Sequence, residues 1–376
     1  MSETIMSIEE VSAPEAQELA FASQWQLMWM RFRRHHLALA GGVVLIVLYG
    51  VAAFCEFVAP YEPAQRNAQY VLCPPQWPHF VDAEGSFHLR PFVYGVQMTD
   101  DDWQRKYVVD HKERYPVYFF TRGPEYEFWG IFKSRWHLFG AGEGAPLFLF
   151  GTDDLGRDLL SRILYGARIS LTIGLIGVAM TFFVGILLGG VAGYYGGWID
   201  IIVQRAIEVL MAVPQLPLWM ALSAALPASW PPLRVYFGVT LILSLMGWTG
   251  LARVVRGKFL SMRDEDFVVA ARISGTSEIA IIFKHLLPSF LSHVITSATL
   301  AVPGMILGET ALSFLGIGLQ APVVSWGVLL QKAQNFQAVS MAPWLLLPGL
   351  FVVIAVLAFN VLGDGMRDAA DPYSVH

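Results

Sequence analysis

The residues of this sequence best suited to chemistry fall short of every arrangement that would use them. Gly257-Lys258 has the glycine-lysine pair of a phosphate-binding loop, but position 252 is Ala and position 259 is Phe. The first glycine and the hydroxyl that would hold magnesium are therefore both missing. The nine histidines are scattered without metal-ligand spacing, and no His-Glu-x-x-His, Cys-x-x-Cys or Gly-x-Ser-x-Gly occurs. No catalytic residue, metal ligand or bound cofactor is expected.

Three charged groups remain to be placed. Glu309 stands inside an apolar run, where an ionisable side chain is costly and marks function by default; it either lines a path or hydrogen-bonds a neighbouring helix. Arg205 and Glu208, three residues apart, can pair on one helix face as an anchor. Asp154, Arg157 and Asp158 can form a local network within Gly151 to Asp158. A substrate site is one reading there. The preferred one is a helix start, with Asp153 or Asp154 capping an amphipathic segment through Leu159, Ile163 and Leu164 on the outer membrane surface.

The elements that must carry these groups are set by composition. The chain has 376 residues, 55% hydrophobic and only 15% charged, well short of the roughly 25% charge of a soluble domain. Such a sequence needs a bilayer. A net charge of -5 gives no basic field for DNA or RNA. Cys55 lies within an apolar run and Cys73 outside it, which argues against a disulfide between them.

Residues Met1 to Gln24 are polar and acidic and read as a mobile tail. Arg31, Arg33 and Arg34 directly precede the run Leu37 to Ala59, which is long enough to cross the membrane and too long for a signal-peptide core. The basic cluster places the N-terminus inside. Further spans are expected at Ile169 to Tyr194, Ile201 to Leu226, Val235 to Val255, Leu291 to Gly316 and Trp344 to Leu362, about six in all. Counting sides puts Arg256 to Pro288 in the cytoplasm, where Arg256, Lys258, Arg263, Arg272 and Lys284 agree with the positive-inside rule.

Between the first two spans, the stretch after Pro60 is rich in Pro, Trp and Tyr. Its runs Phe87 to Tyr94 and Val117 to Phe120 predict short strands in a small extracytoplasmic lobe. Gly185, Gly189 and Gly193 recur every four residues, so one helix face has no side chains, as close helix packing requires. Pro214 and Pro217 interrupt the third span and predict a kinked, pore-facing helix.

The cytoplasmic stretch reads as two short helices with a break. Asp264 can cap the first, Glu265 and Asp266 suit its opening turn, and Gly275 can end it in the left-handed conformation. Ser277 can cap the second, and Pro288 marks re-entry into the membrane. Phe267, Ala270, Ala271 and Ser274 share one face of the first helix, a shallow patch with one bulky knob. That face either docks another protein or packs on its own bundle.

Here the sequence resembles a known family. Ala270-Ala271, Gly275 and Leu286-Leu287-Pro288 keep the spacing of the coupling-loop signature of bacterial ABC-importer permeases. Val269 stands where Glu is usual and His285 where an aliphatic residue is usual, and both variations occur in the dipeptide and oligopeptide branch. Further marks of that branch resemble Gly151 to Asp158, Arg168-Ile-Ser-Leu171, Glu309 to Gly316 and Asn360 to Asp368. The likeness runs from Arg31 to Tyr373 except for most of Pro60 to Leu149, an insertion longer than the branch leads one to expect.

The resemblance implies an all-α polytopic membrane protein of about six transmembrane helices, with a cytoplasmic coupling helix and a small extracytoplasmic insertion between the first two spans. Its parts would be a cytoplasmic tail (1–36), a first transmembrane helix (37–59), a periplasmic insertion (60–150) and a permease core (151–376) with five spans and the coupling loop 256–288. The chain would be the second (C-type) permease subunit of an importer for di- or oligopeptides in a bacterial inner membrane, with both termini cytoplasmic. Its partners would be a second homologous permease, two ATP-binding-cassette ATPases holding ATP and magnesium, and a periplasmic solute-binding protein. Coupling would rest on Glu265, Asp266, Phe267, Ala270, Ala271, Arg272, Gly275, Leu287 and Pro288. Gly185, Gly189, Gly193, Pro214, Pro217 and Glu309 are the pore or helix-packing candidates, and the likeness along the whole Glu309 segment favours a structural role for that acid. Cargoes carried by related systems include oligosaccharides, opines and metal chelates. An ion-coupled secondary transporter is the alternative class, but paired repeats with intramembrane acidic sites are not evident.

Overall fold

A computed structural model describes residues 24–101, 104–142, 145–227 and 229–370; the expected tail up to residue 23 and the end of the resemblance at Tyr373 lie outside them. Among the described residues, five helices are long and apolar enough to cross a membrane: His36–Ala53, Leu159–Tyr195, Pro232–Met262, Leu291–Phe314 and Pro343–Ala370. A sixth candidate is a bent pair, Gly197–Ala212 and Gln215–Ala224, whose halves meet at 87°. The bundle is therefore all-α and polytopic.

Helix α1 (Gln24–Arg34) already occupies part of the stretch expected to be tail. It leads into α2 (His36–Ala53), which breaks at Phe54 before the single turn α3 (Cys55–Val58). Cys55 and Cys73 are both buried free thiols. The second span is α4 (Leu159–Tyr195), 37 residues and so about 55 Å long, far more than the hydrocarbon needs. Leu159 to Leu164 are its first turns rather than a separate helix on the membrane surface. Those turns are buried by the rest of the molecule, which is why they stay in line with the span.

The predicted third span is broken rather than kinked. Helix α5 (Gly197–Ala212) stops at Val213, and α6 (Gln215–Ala224) starts after Pro214. Val213 and Pro214 are both extended (ψ 129° and 131°). A residue before proline is pushed out of the helical region, and proline has no N–H to continue the ladder. Next come α7 (Pro232–Met262), the short α8 (Asp266–Ile273) and α9 (Glu278–Ile281), α10 (Leu291–Phe314), α11 (Trp326–Gln331) and α12 (Leu347–Ala370).

Contacts orient the bundle. Tyr49 of α2 donates to Leu171 O of α4 at 3.3 Å, so the ends of α2 and the start of α4 lie together. His35 lies 3.8 Å from Asp368 near the end of α12. Helix α1 and the end of α12 thus share one end of the bundle, α8 joins them there through Arg272 against Tyr194 near the end of α4, and the inserted lobe sits at the other end.

The lobe is a four-stranded antiparallel sheet in the order β1 (His79–Val81), β2 (Phe87–Asp101), β3 (Gln104–Phe128), β4 (Phe132–Ala141). The expected short strands are long, because β3 serves two hairpins in succession. Its first half pairs with β2 (Phe92 with Pro116, Asp101 with Gln104), and its second half with β4 (Val117 with Ala141, Phe128 with Phe132). Val93, Val117 and Leu147 form a small buried core beneath the switch point. The lobe is tied down by Gln76, which donates to Tyr94 O and accepts from Phe148 N–H. His137 is buried with Nδ1 2.6 Å from Ala59 O and Nε2 2.9 Å from Pro124 O.

Candidate functional site

The face predicted to meet a partner is built on α8. Asp266 opens the helix, but the cap position falls on Glu265, whose side chain makes no capping bond, instead of on Asp264. Asp264 receives the Arg263 guanidinium at 3.4 Å. Gly275 ends the helix with φ of +77°. Its N–H bonds Arg272 O at 3.1 Å and that of Thr276 bonds Ala271 O at 3.1 Å, the paired bonds of a Schellman stop. Ser277 then caps α9, accepting from Ala280 N–H. A π-turn over Ile282–Leu286 follows, just ahead of Pro288, whose ring would clash with the Lys284 carbonyl in a regular helix.

Burial divides α8 differently from the expected patch. Val268 and Ala271, three residues apart, point into the bundle core, so Ala271 leaves the outward face. Phe267 (42% exposed), Ala270, Ile273 (82%) and Ser274 face out. Leu287 is packed against the core and Pro288 is exposed. Arg272 reaches back, with its guanidinium 5.9 Å from the ring centre of Tyr194 near the end of α4. Arg256 of α7 grips Asp200 of α5 with two bonds of 2.5 Å close by. A small apolar surface is thus held on the bundle by packed side chains and cations.

The glycine stripe is the spine of that bundle. A Cβ at Gly185 would lie 2.9 Å from the Leu251 side chain and one at Gly193 2.7 Å from Arg256 O, with Gly189 against the Ala252 backbone. All three face α7, not an open channel. The channel-like feature is a cavity of 880 Å³ between α4, α6, α7 and α10, whose lining includes Gln215, Trp219, Gly247, Gly250, Gly304 and Gly308. Pro214 and Pro217 do not line it; they set the bend that brings Gln215 and Trp219 there. At Gly250 and Gly304 nothing lies within 4 Å of an added Cβ, so backbone is open to the cavity.

Glu309 is sealed off instead. Its side chain is fully buried and takes hydrogen bonds from Ser313 (2.8 Å), Ser325 (2.6 Å) and Ser170 (3.1 Å). Each serine oxygen also accepts a backbone N–H, from Leu319, Val328 and Trp326 respectively. One carboxylate thereby joins α4, α10 and α11. No cluster of three metal-ligating side chains occurs among the described residues.

Residues 185–373, which include α7, α8 and the serine cage of α10 and α11, match the family described as binding-protein-dependent transport system inner membrane component. Residues 23–75 match the N-terminal transmembrane domain of oligopeptide transport permease C. The chain belongs to the first of these families.

This permease has relatives of several names. It is 42% identical over 224 residues to a dipeptide transport system permease protein of Alkalihalophilus pseudofirmus, spanning 59% of this chain and 71% of the relative. With a di/tripeptide transport system permease protein of Pseudomonas aeruginosa the identity is 30% over 94% of both chains. A glutathione transport system permease protein of Escherichia coli is 32% identical over 93% of this chain and 90% of its own.

Other charged groups already named in the sequence take partners that their spacing does not reveal. Arg168 of α4 pairs with the buried Glu56 at 2.5 and 2.6 Å and donates to Ala52 O and Ala53 O, tying the lobe end of α2 to α4. Asp158, not Asp153 or Asp154, caps α4, accepting from Ser161 N–H at 2.7 Å and Ser161 Oγ at 2.6 Å. Asp153 instead takes the Arg157 and Arg162 guanidiniums, and Asp154 the Lys332 ammonium. Those guanidiniums hold the Asp153 carboxyl below the usual range in spite of its burial.

Proposed function

We propose that this permease is one of two membrane-spanning subunits of an ATP-driven importer that moves peptides of a few residues across a bacterial inner membrane into the cytoplasm. The observation that carries the reading is α8. It is a helix whose exposed face carries Phe267, Ala270 and Ile273, rooted in the core by Val268 and Ala271 and braced on Tyr194 by Arg272. Such a surface suits a groove on a separate ATPase subunit.

In this reading the end bearing α1 and α8 is cytoplasmic. Arg31, Arg33, Arg34, Arg256, Lys258, Arg263, Arg272 and Lys284 fall there, as the positive-inside rule expects. Both termini then lie in the cytoplasm, and the lobe of residues 60–150 is periplasmic. The 880 Å³ cavity would form this subunit's share of the pathway, with a homologous permease supplying the other. A periplasmic binding protein would deliver cargo, and two ATPases would hold ATP and magnesium. Closure of the ATPases would move α8, and its rigid attachment to α4 and α7 would carry that movement to the cavity. Coupling of this kind requires only that docked α8 favour different bundle states when the ATPases are open and closed.

The cargo class rests on the names of the relatives, which specify dipeptide, di/tripeptide and glutathione transport. Ion-coupled transport is disfavoured by Glu309, whose hydrogen-bonding capacity is committed to three serines.

The test is purification of the chain from its native membrane in mild detergent, with ATP hydrolysis measured against di- and tripeptides. Recovery of a second permease and two ATPase copies, with hydrolysis stimulated by peptide-loaded binding protein, is the expected result. Recovery of the chain alone, transporting on an ion gradient and indifferent to ATP, contradicts it.

A further inference from the structure

The lobe carries an apolar tip at an unusual place. The β3–β4 hairpin closes with Phe128 opposite Phe132 across Trp129-Gly130-Ile131. Trp129 has φ of +50°, a strained conformation for a bulky residue. What holds it there is the end of the first span. Its indole donates to Ala53 O, the last residue of α2, at 2.9 Å, and its ring lies 4.2 Å beneath the Arg168 guanidinium. Phe128 stacks on Phe54 at 5.8 Å.

The turn is thereby fixed in depth. Helix α2 has 18 residues and is about 27 Å long, close to the thickness of the hydrocarbon, so Ala53 marks its outer boundary. At that level Ile131 is 81% exposed and Phe132 56%. Val43 and Val47 of α2 are exposed as well, and Phe54, just past its end, meets the hairpin at Phe128. Charge returns one step up the hairpin, where Lys133 bridges Glu125 and Glu127 and Arg135 pairs with Glu125. An uncharged tip below a ring of ionic pairs is the profile of a segment seated at a membrane interface, with aromatic rings among the headgroups.

We propose that this tip is a lipid anchor, with Ile131 and Phe132 entering the acyl boundary of the leaflet on the lobe side and pinning the lobe to the bilayer beside the first span. This rests only on the chain spanning a membrane and is independent of cargo or ATPase coupling.

The test places a fluorescent NBD label on Ile131→Cys, and separately on Phe132→Cys, in the assembled transporter reconstituted into phosphatidylethanolamine and phosphatidylglycerol vesicles. The native Cys55 and Cys73 are fully buried and leave the label to the new site. At both positions the expected result is blue-shifted emission that is lost when the vesicles contain lipid with a doxyl group near the top of its acyl chain, and that resists aqueous iodide. Quenching by iodide without quenching by doxyl lipid would mean a water-exposed tip and overturn the proposal. Protection from both quenchers would mean that a protein surface covers the tip, and overturns it equally.

Discussion

The Arg272 guanidinium lies 5.9 Å from the ring centre of Tyr194, linking the exposed helix α8 to the end of the longest span. If α8 transmits force, this contact is part of the linkage. A cation over an aromatic ring contributes about 0.5–2 kcal/mol, enough to bias a coupled equilibrium without being needed for folding. Arg272→Ala is expected to insert and assemble normally while transport per ATP hydrolysed falls several-fold, with Arg272→Lys intermediate. Parallel measurement of peptide uptake and ATPase rate on one preparation checks this.

Gly275 holds a left-handed backbone that costs other residues about 1–2 kcal/mol. Gly275→Asp should leave the spans intact but weaken the helix stop, lower ATPase co-purification and abolish solute-stimulated hydrolysis. Normal stimulation in the purified variant would count against a coupling role for this turn.

Much of this arrangement was legible in the sequence, and the failures have physical causes. Apolar length and basic flanks located the spans because they are local properties of the chain. Gly275 and Ser277 were readable because caps depend on a few consecutive residues. The cap of α4 was misplaced because Arg157 and Arg162 claim Asp153 through folded contacts, leaving Asp158 to the helix. Helical spacing groups Ala271 with Phe267, Ala270 and Ser274 on one face but does not say which edge of that face the bundle covers. The strand β3 changes partners midway, which no run of residues announces. The serine cage was missed although Ser170 and Ser313 lay inside segments already singled out. Ser313 stands one helical turn after Glu309, the available signal. The glycines that line the cavity were missed too, though Gly304 and Gly308 also stand one turn apart.

Glu309 should behave as a structural hub. Replacement by Ala removes the acceptor of three buried hydroxyls and is expected to cost about 2–4 kcal/mol, read as a lower melting temperature in detergent. Glu309→Gln keeps an acceptor and the volume, and should retain transport. Loss of transport in the Gln variant at unchanged stability would restore an ion-coupling role.

Gly189 lies against the Ala252 backbone where α4 crosses α7. Gly189→Val should force the helices apart and cost about 1–3 kcal/mol, whereas Gly250→Ala, facing open space, should be tolerated for folding. Thermal unfolding of the two variants separates packing from cavity lining.

Burial pushes the Asp158 carboxyl up to about 7, above the roughly 3.9 of an unfolded chain. Between these values the folded state holds a proton that the unfolded state has lost. The contribution to stability is therefore greatest in acid, declines as pH rises from about 4 to 7, and is level beyond. Asp158→Asn keeps an oxygen for the Ser161 cap, and its stability relative to the native chain should rise by about 2–3 kcal/mol between pH 5 and pH 8. Melting temperatures across that range supply the comparison.

The central claim is that α8 meets an ATP-hydrolysing subunit, and photo-crosslinking from position 267 tests it most directly. With p-benzoylphenylalanine in place of Phe267 in the intact membrane complex, the account predicts an adduct to an ATPase subunit whose yield changes when ATP is bound. An adduct only within this chain, or to lipid alone, would contradict it.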